Sequence, residues 1–447
     1  MPAKKKKTAA EIKAAAAKKA AVAAAKAKKD AAKKALAAAI KAAEILDDPA
    51  FSKVVQNELR DNAVYMDDNT LRIVKRQRDI AARGRIAATN RCRSSQQGKS
   101  NQAIALLLMI ANTNAHLEKA LTNVMTCWAD AHPLARFFLQ FLGIGPVTLA
   151  SVLSYINMQA LPSTAGHLWS YFGMDPSIRW IGKKFDKMML KQFGVSSTST
   201  KPLTEKQVDD IIGWASGISG VKKENLHRSH QLILMYDHKE RITRKNPLKA
   251  TGTTVYQTIS RRPWNAGAKK DLHLLVDGLV KVGGRCVGTA KEGYYGRLYL
   301  DRKKFEIERD ETGHYAQAAA TLLANTPKSK EATYWKDGRL SKGHIDMKAR
   351  RWVKKIVLSH IHHVAHVWRY DCVPPKPYAV THLGHAHVIL PPDIETVDQF
   401  LVDVTEEIKE KYGVTSLPEP EVKSNRGPSA YELFELEDEL DDMENAG

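Results

Sequence analysis

The chain is short of cysteine, of acidic residues and of long apolar runs, and each shortage narrows what it can do. Its four cysteines, Cys92, Cys127, Cys286 and Cys372, lie far apart and form no C-x-x-C pair. That excludes a disulfide framework or a zinc ribbon as the organising element and fits a reducing compartment. The most apolar run, "AIALLLMIAN" from Ala103, has about half of the roughly 20 residues that a membrane span needs. The N-terminal stretch lacks the apolar core of a secretion signal, so a soluble, cytoplasmic protein with no membrane partner is expected. Acids number 49 against 69 lysines and arginines, a formal net charge of +20. Solubility does not require such an excess, and its usual meaning is a polyanionic partner.

What remains is ample for a folded protein. A chain of 447 residues with 43% hydrophobic content can bury a sizeable core, and at roughly 100–200 residues per domain it divides into two or three units. Read along its length, it falls into seven zones. Residues 1–50 are a Lys/Ala-rich basic arm in which Glu11, Asp30 and Glu44 are the acids up to residue 45. Alanine favours helix but buries little, and the lysines repel one another, so the arm is expected to order mainly against phosphates. A solubilising tail or a localisation signal is the alternative. Residues 51–135 read as helix, with a basic section "RIVKRQRDIAARGRIAATNRCR" that is either a solvated face or a track for a nucleic-acid backbone. The apolar residues after it recur at three- and four-residue spacings, as in an amphipathic helix pair.

Residues 136–182 hold "FLGIGPVTLASVL", an apolar-Gly-apolar-Gly turn between two helical segments. In a helix-hairpin-helix, Gly143 and Gly145 would let the backbone approach a phosphate, and Pro146 suits the first position of a helix. That helix would aim its free amides and positive dipole at the anion, giving Gly143, Ile144, Gly145, Val147 and Thr148 as DNA-backbone contacts that read no sequence. A plain helix-helix turn without ligand is the alternative. Residues 183–257 form a helical insertion with helices expected at "TEKQVDDIIGWAS" and "SHQLILMYDHKER". Residues 258–371 are basic and helical, residues 372–415 carry a histidine-containing extended segment near 378–391 and a terminal helix, and residues 416–447 are a linker and an acidic tail.

The stretch "FLGIGPVTLASVLSYINMQALPSTAGHLWSYFGMDP" resembles the helix-hairpin-helix segment of the C-terminal domain of insertion-sequence 110/116/902 family transposases. Leu161-Pro162-Ser163 and Tyr171-Phe172-Gly173-Met174-Asp175-Pro176 stand where that family has a Phe/Leu-Pro-Ser helix start and a Tyr-x-Gly-hydrophobic-x-Pro end. In the same order, "SRRPWNAGAKKDLHLLV", "GYYGRLYLDRKKFE" and "MKARRWVKKIVLSHIHHVAHVW" resemble its basic helix entry, its Tyr-x-x-Leu segment and its closing basic helix. The resemblance implies transposition or recombination of DNA in a mobile element. Two features of the family do not match. Residues 1–130 show no set of carboxylates like that of its RuvC-like nuclease domain, and its nucleophilic serine is replaced by "SIRWIGKKFDK", leaving only Ser177 nearby.

Histidines supply a second set of candidates. His362 and His366, four apart on the closing helix, share a face that could hold a metal. "THLGHAHVIL" places His382, His385 and His387 on an extended segment, where His385 and His387 resemble the His-hydrophobic-His strand of single-strand nicking endonucleases, with Tyr370 and Tyr378 close in sequence. Packing or phosphate contact is the alternative for all of them. The tail "YELFELEDELDDMEN" could dock a protein partner as a short helix, compete with DNA, or simply solvate the chain.

Together these features lead to a mainly α protein with a helix-hairpin-helix core, a small extended segment and disordered ends. It is expected to bind DNA, with structured RNA as the alternative, to associate with the nucleoid and to be able to form a homo-oligomer. No cofactor is required, a divalent metal being the alternative. Lys183, Lys184, Arg261, Arg262, Lys269, Lys270, Arg350, Arg351, Lys354 and Lys355 are the expected basic surface, and the strand-cutting machinery is expected to be lost or altered. The rival functions are an active enzyme, either a strand-exchange protein using Ser177 or a metal-dependent nickase using His385 and His387, and a nucleoid-like packing protein in which the arm dominates.

Overall fold

The computed structural model describes Asn57 and residues 61–96, 104–158, 160–240, 249–283, 293–375 and 389–417. Those residues form fifteen α-helices. Among them no strand occurs, and a single isolated bridge joins Pro202 to Thr251. No helix of the described residues is long and apolar enough to cross a membrane. The Lys/Ala arm, Cys286, Tyr378, His382, His385, His387, most of the expected extended segment and the acidic tail lie outside the described residues.

The chain forms two compact units, Met1–Trp128 and Ala129–Gly447. In the first, α1 (Asp68–Gln96) and α2 (Ile104–Asp130) run antiparallel. Arg78 Nε donates to Thr122 Oγ1 at 3.1 Å and Arg85 Nε to Glu118 Oε2 at 2.7 Å. Gly84 sits so close to Asn114 that a Cβ there would lie 2.9 Å from its Oδ1, and Cys92 packs with Ile104, Leu107 and Leu108. At least two arginines of the basic section therefore join helix to helix.

The second unit carries α3 (Pro133–Leu139), α4 (Pro146–Leu153), α5 (Ala165–Tyr171), α6 (Lys184–Phe193), α7 (Glu205–Ser219), α8 (Lys223–Glu240), α9 (Gly252–Ser260), α10 (Ala266–Gly283), α11 (Tyr294–Glu311), α12 (Ala316–Asn325), α13 (Ala332–Lys336), α14 (Lys342–Tyr370) and α15 (Val397–Tyr412). Its axis is α14. Ala349, Val353, Val357, Leu358, Ile361, Val364 and Ala365 recur at three- and four-residue spacings and are all buried, the stripe that drives a helix into a core. Against it lie α3, α5, α10, α11 and α15. An aromatic group of Phe137, Phe138, Phe141 and Tyr295 fills the space beside α3 and α11, with Phe137 and Phe138 centroids 5.2 Å apart and Phe141 and Tyr295 centroids 5.1 Å apart. Burying each such ring contributes on the order of 1.5–3 kcal/mol.

Helices α6 to α9 collect around a core of their own, made of Phe185, Met189, Val208, Ile211, Ile212, Ala215, Val255 and Ile259. Capping boxes start two of them, Thr204 with Gln207 at α7 and Thr251 with Thr254 at α9. Each satisfies first-turn amides that would otherwise lack partners.

Candidate nucleic-acid interface

The glycine turn lies at one end of α10. Gly143 has φ +93°, and a Cβ on it would lie 2.6 Å from Val282 Cγ2 and 2.8 Å from the Leu279 Cα. Reciprocally, a Cβ on Gly278 would collide with the Gly143 carbonyl oxygen. The bare Cα of Gly143 is thus taken up by its crossing with α10, at the place where the glycine pattern suggests a phosphate. Ile144 is buried, and the Thr148 hydroxyl donates to the Gly145 carbonyl at 2.9 Å. Gly145, the N-cap of α4, has room for a Cβ, the nearest atom being Thr148 Oγ1 at 3.6 Å, and Val147 is half-buried.

The opposite end of α10 gathers the cations. Asn265 caps this helix, accepting from the Ala268 amide at 2.8 Å, and donates through its side chain to Tyr171 Oη at 3.0 Å. Tyr155 lies against Gly267 at this end, so α4 and α10 run antiparallel. Eleven residues of helix, about 16 Å at 1.5 Å per residue, separate Gly267 from Gly278. The turn and the cation cluster are therefore distinct places.

Six cations from two sequence-remote segments come together here. Lys269 has its ammonium held below the usual lysine range, first by burial and then by the charges of Arg351 and Arg262. Lys355 is shifted the same way by burial and by Arg351, with Asp175 opposing. Lys354 is pushed down to about 8 by burial and by Lys269, Arg350 and Arg351. Like charges that depress one another stand in a field that an anion would relieve. The positive dipole end of α10 adds to it.

Tryptophans fix these chains in place. The Lys269 ammonium lies 3.9 Å from the Trp264 ring centroid, Lys355 5.0 Å from Trp169 and the Arg262 guanidinium carbon 4.8 Å from Trp180. An indole face attracts a cation and limits its freedom. Trp169 Nε1 donates to the Lys355 carbonyl at 3.1 Å, fastening α5 to α14. Trp264 lies against Gly173, whose φ is +63° and where a Cβ would come within 2.7 Å of the ring. Charge, spacing and motif do not single out these rings in the sequence. The local signal for two of them is a neighbour in the chain that the ring touches, Gly182 at Trp180 and Lys269 at Trp264. Trp169 meets its cation only through the fold.

The expected basic surface divides under the structure. Arg262 and Arg351 are exposed, and Lys269 and Lys355 are half-buried with their charges at the cluster. Lys183 and Lys184 are exposed at the start of α6, and Arg261 is half-buried at the end of α9. Lys270 is exposed and lies 3.4 Å from Asp271. Two residues are corrected. Lys354 is 5% exposed and its Nζ lies 3.0 Å from His273 Nδ1, so it underlies the surface and does not form it. Arg350 is committed to Asp277 at 2.7 Å and to Asp346 at 2.6 Å. On a helix 350 and 354 share one line while 351 and 355 share the next, and the first of these lines faces α10.

The catalytic and metal candidates also have other uses. Ser177 donates its hydroxyl to Asp175 Oδ1 at 2.6 Å and its amide to the same oxygen at 2.9 Å. Burial opposes the charge of Asp175, but these bonds, one from Ser170 and the charge of Lys355 hold its carboxyl below the usual range. So stabilised, a carboxylate is a poor base, and Ser177 gains no activation from it. His362 and His366 both direct Nε2 at the Pro162 carbonyl, at 2.6 and 3.3 Å. They act as a clamp between α14 and the segment before α5. Among the described residues no group of three or more His, Cys, Asp or Glu could hold a metal ion.

Compared with family models, with curated proteins and with solved structures, the chain matches none of them.

Proposed function

We propose that the protein binds DNA by its phosphate backbone through Arg262, Lys269, Arg351 and Lys355. The single observation that carries this reading is the cluster itself, in which mutually repelling cations from α10, the segment before it and α14 are held together, three of them on tryptophan rings. In a chain of net charge +20, a polyanion is the ligand that offsets that repulsion. Backbone contacts of this kind position a duplex and read no sequence. The likeness of residues 141–176 to insertion-sequence transposases supports a role in transposition or recombination, as a binding component and not as the source of strand cleavage.

Polarisation of a labelled duplex between 50 and 200 mM salt, conditions chosen because counterion release dominates there, tests the proposal. The logarithm of the affinity falls linearly with the logarithm of salt, by about 0.9 for each phosphate neutralised, and sequence matters little. Absence of binding at low salt, or an affinity that salt does not change, overturns it.

A further inference from the structure

Resting on the DNA-binding reading above, we infer that Trp180 is a stacking platform for an unpaired base, so that the ligand of this site is DNA with a nucleotide out of the duplex stack. Large apolar side chains are usually covered, yet Trp180 is 45% exposed. It is also rigid. Its Nε1 donates to the Ser260 carbonyl at 2.8 Å, which fixes the ring plane. The residue before it is pinned by the Arg179 amide donating to the Ser219 carbonyl at 2.7 Å, and the residue after it, Ile181, packs into the core of α6 to α9. Gly182, at φ +58°, touches the ring edge, and a Cβ there would lie 2.9 Å from Cε2. An indole presented in this way loses little freedom on receiving a planar partner, the condition under which aromatic stacking contributes most to binding.

The surroundings select a nucleotide over other planar or apolar ligands. Arg179, Lys183, Lys184 and Arg262 are all exposed, and all lie within four residues of Trp180 in sequence or on its ring. Arg262, 4.8 Å from the ring centroid, occupies the place of the base in the free protein. When a base arrives, its guanidinium turns to the phosphate of the same nucleotide, exchanging a cation-ring contact for a charge-assisted hydrogen bond. Lys269, close enough to Arg262 to feel its charge, continues the phosphate track toward α14.

Three DNA ligands with the same paired sequence test this: a perfect duplex, the same duplex with one bulged 2-aminopurine nucleotide, and the same bulge with an abasic residue. The phosphates of the two bulged ligands are identical, so only the base differs. The wild-type protein binds the base bulge about tenfold more tightly than the abasic bulge, within the range for one base stacked on an aromatic side chain, and 2-aminopurine emission is quenched on binding. Trp180→Ala removes both differences, and Trp180→Phe retains part of each. Equal affinity of the wild-type protein for the two bulges, or unquenched emission in its complex, overturns the inference whatever the variants do. Failure of all three ligands to bind overturns instead the DNA-binding reading on which it rests.

Discussion

The two ends of α10 differ both in what the sequence announces there and in how the fold uses them. At one end, Leu142–Gly145 has the pattern of a phosphate-binding turn, yet the missing Cβ of Gly143 is filled by Gly278, Leu279 and Val282 of the same fold. At the other, no short motif announces a site, yet Arg262, Lys269 and Lys355 lie on three indoles with Arg351 among them. A glycine pattern states only that something approaches the backbone closely. A set of like charges held together against their own repulsion states more, because the fold alone gains nothing from it.

The largest effect expected from this contrast is on stability. Gly143→Val forces a β-branched residue into positive φ and drives its Cβ into Val282 and the Leu279 backbone. Conformational strain and overpacking together cost about 4 kcal/mol or more, read as a lowered urea midpoint. Gly145→Ala, whose Cβ makes only ordinary contact with Thr148 Oγ1 at 3.6 Å, costs less than about 1 kcal/mol and leaves DNA affinity as it was. A Gly143→Val protein that keeps its urea midpoint but no longer binds DNA would return the phosphate role to the turn.

Next comes the cation cluster. Lys269→Glu combined with Arg351→Glu replaces attraction to phosphate by repulsion at two positions, and lowers duplex affinity on the order of a hundredfold at moderate salt with a flatter salt dependence. The same change relieves the mutual repulsion in the free protein, so its urea midpoint stays or rises. Loss of affinity accompanied by an equal loss of stability would mean that the cluster is structural.

How much of this can be read from the sequence depends on which residues define it. The long helices follow from apolar spacing: the stripe from Ala349 to Ala365 lies within the 29 residues of α14, and the two helices expected in the insertion appear as α7 and α8. The basic runs at 261–270 and 350–355 are equally visible as charge. Their orientation is less so. Arg350 and Lys354 sit in the same run as Arg351 and Lys355 but turn toward α10, as their register with Val357 and Leu358 indicates once the apolar stripe is laid beside the charges. The tryptophans are not legible as a set, because Trp169, Trp180 and Trp264 belong together only through contacts that span the fold. The same holds for Gly143 and Gly278, a pair whose meaning is a distance between segments remote in sequence.

The smallest expected effect sharpens the comparison through a single buried amine. Lys354 has its ammonium pushed down to about 8 by burial and by Lys269, Arg350 and Arg351, while Asp277 opposes them, and its hydrogen-bond partner is His273. In the unfolded chain its value is the ordinary one near 10.5. Between these values the unfolded state binds the proton and the folded state does not, so stability rises with pH in that window. From pH 7 to 9 the gain is about 1 kcal/mol. DNA has the opposite preference, because phosphates near the cluster favour the charged amine, and affinity therefore falls a few-fold over the same range. Lys354→Met keeps the length and apolar character of the chain but cannot titrate, and it flattens both trends. Urea unfolding and duplex binding at pH 7, 8 and 9 measure the two slopes side by side. If the methionine variant retains the fall in affinity, the pH dependence comes from elsewhere and Lys354 is only a buried support for the cluster.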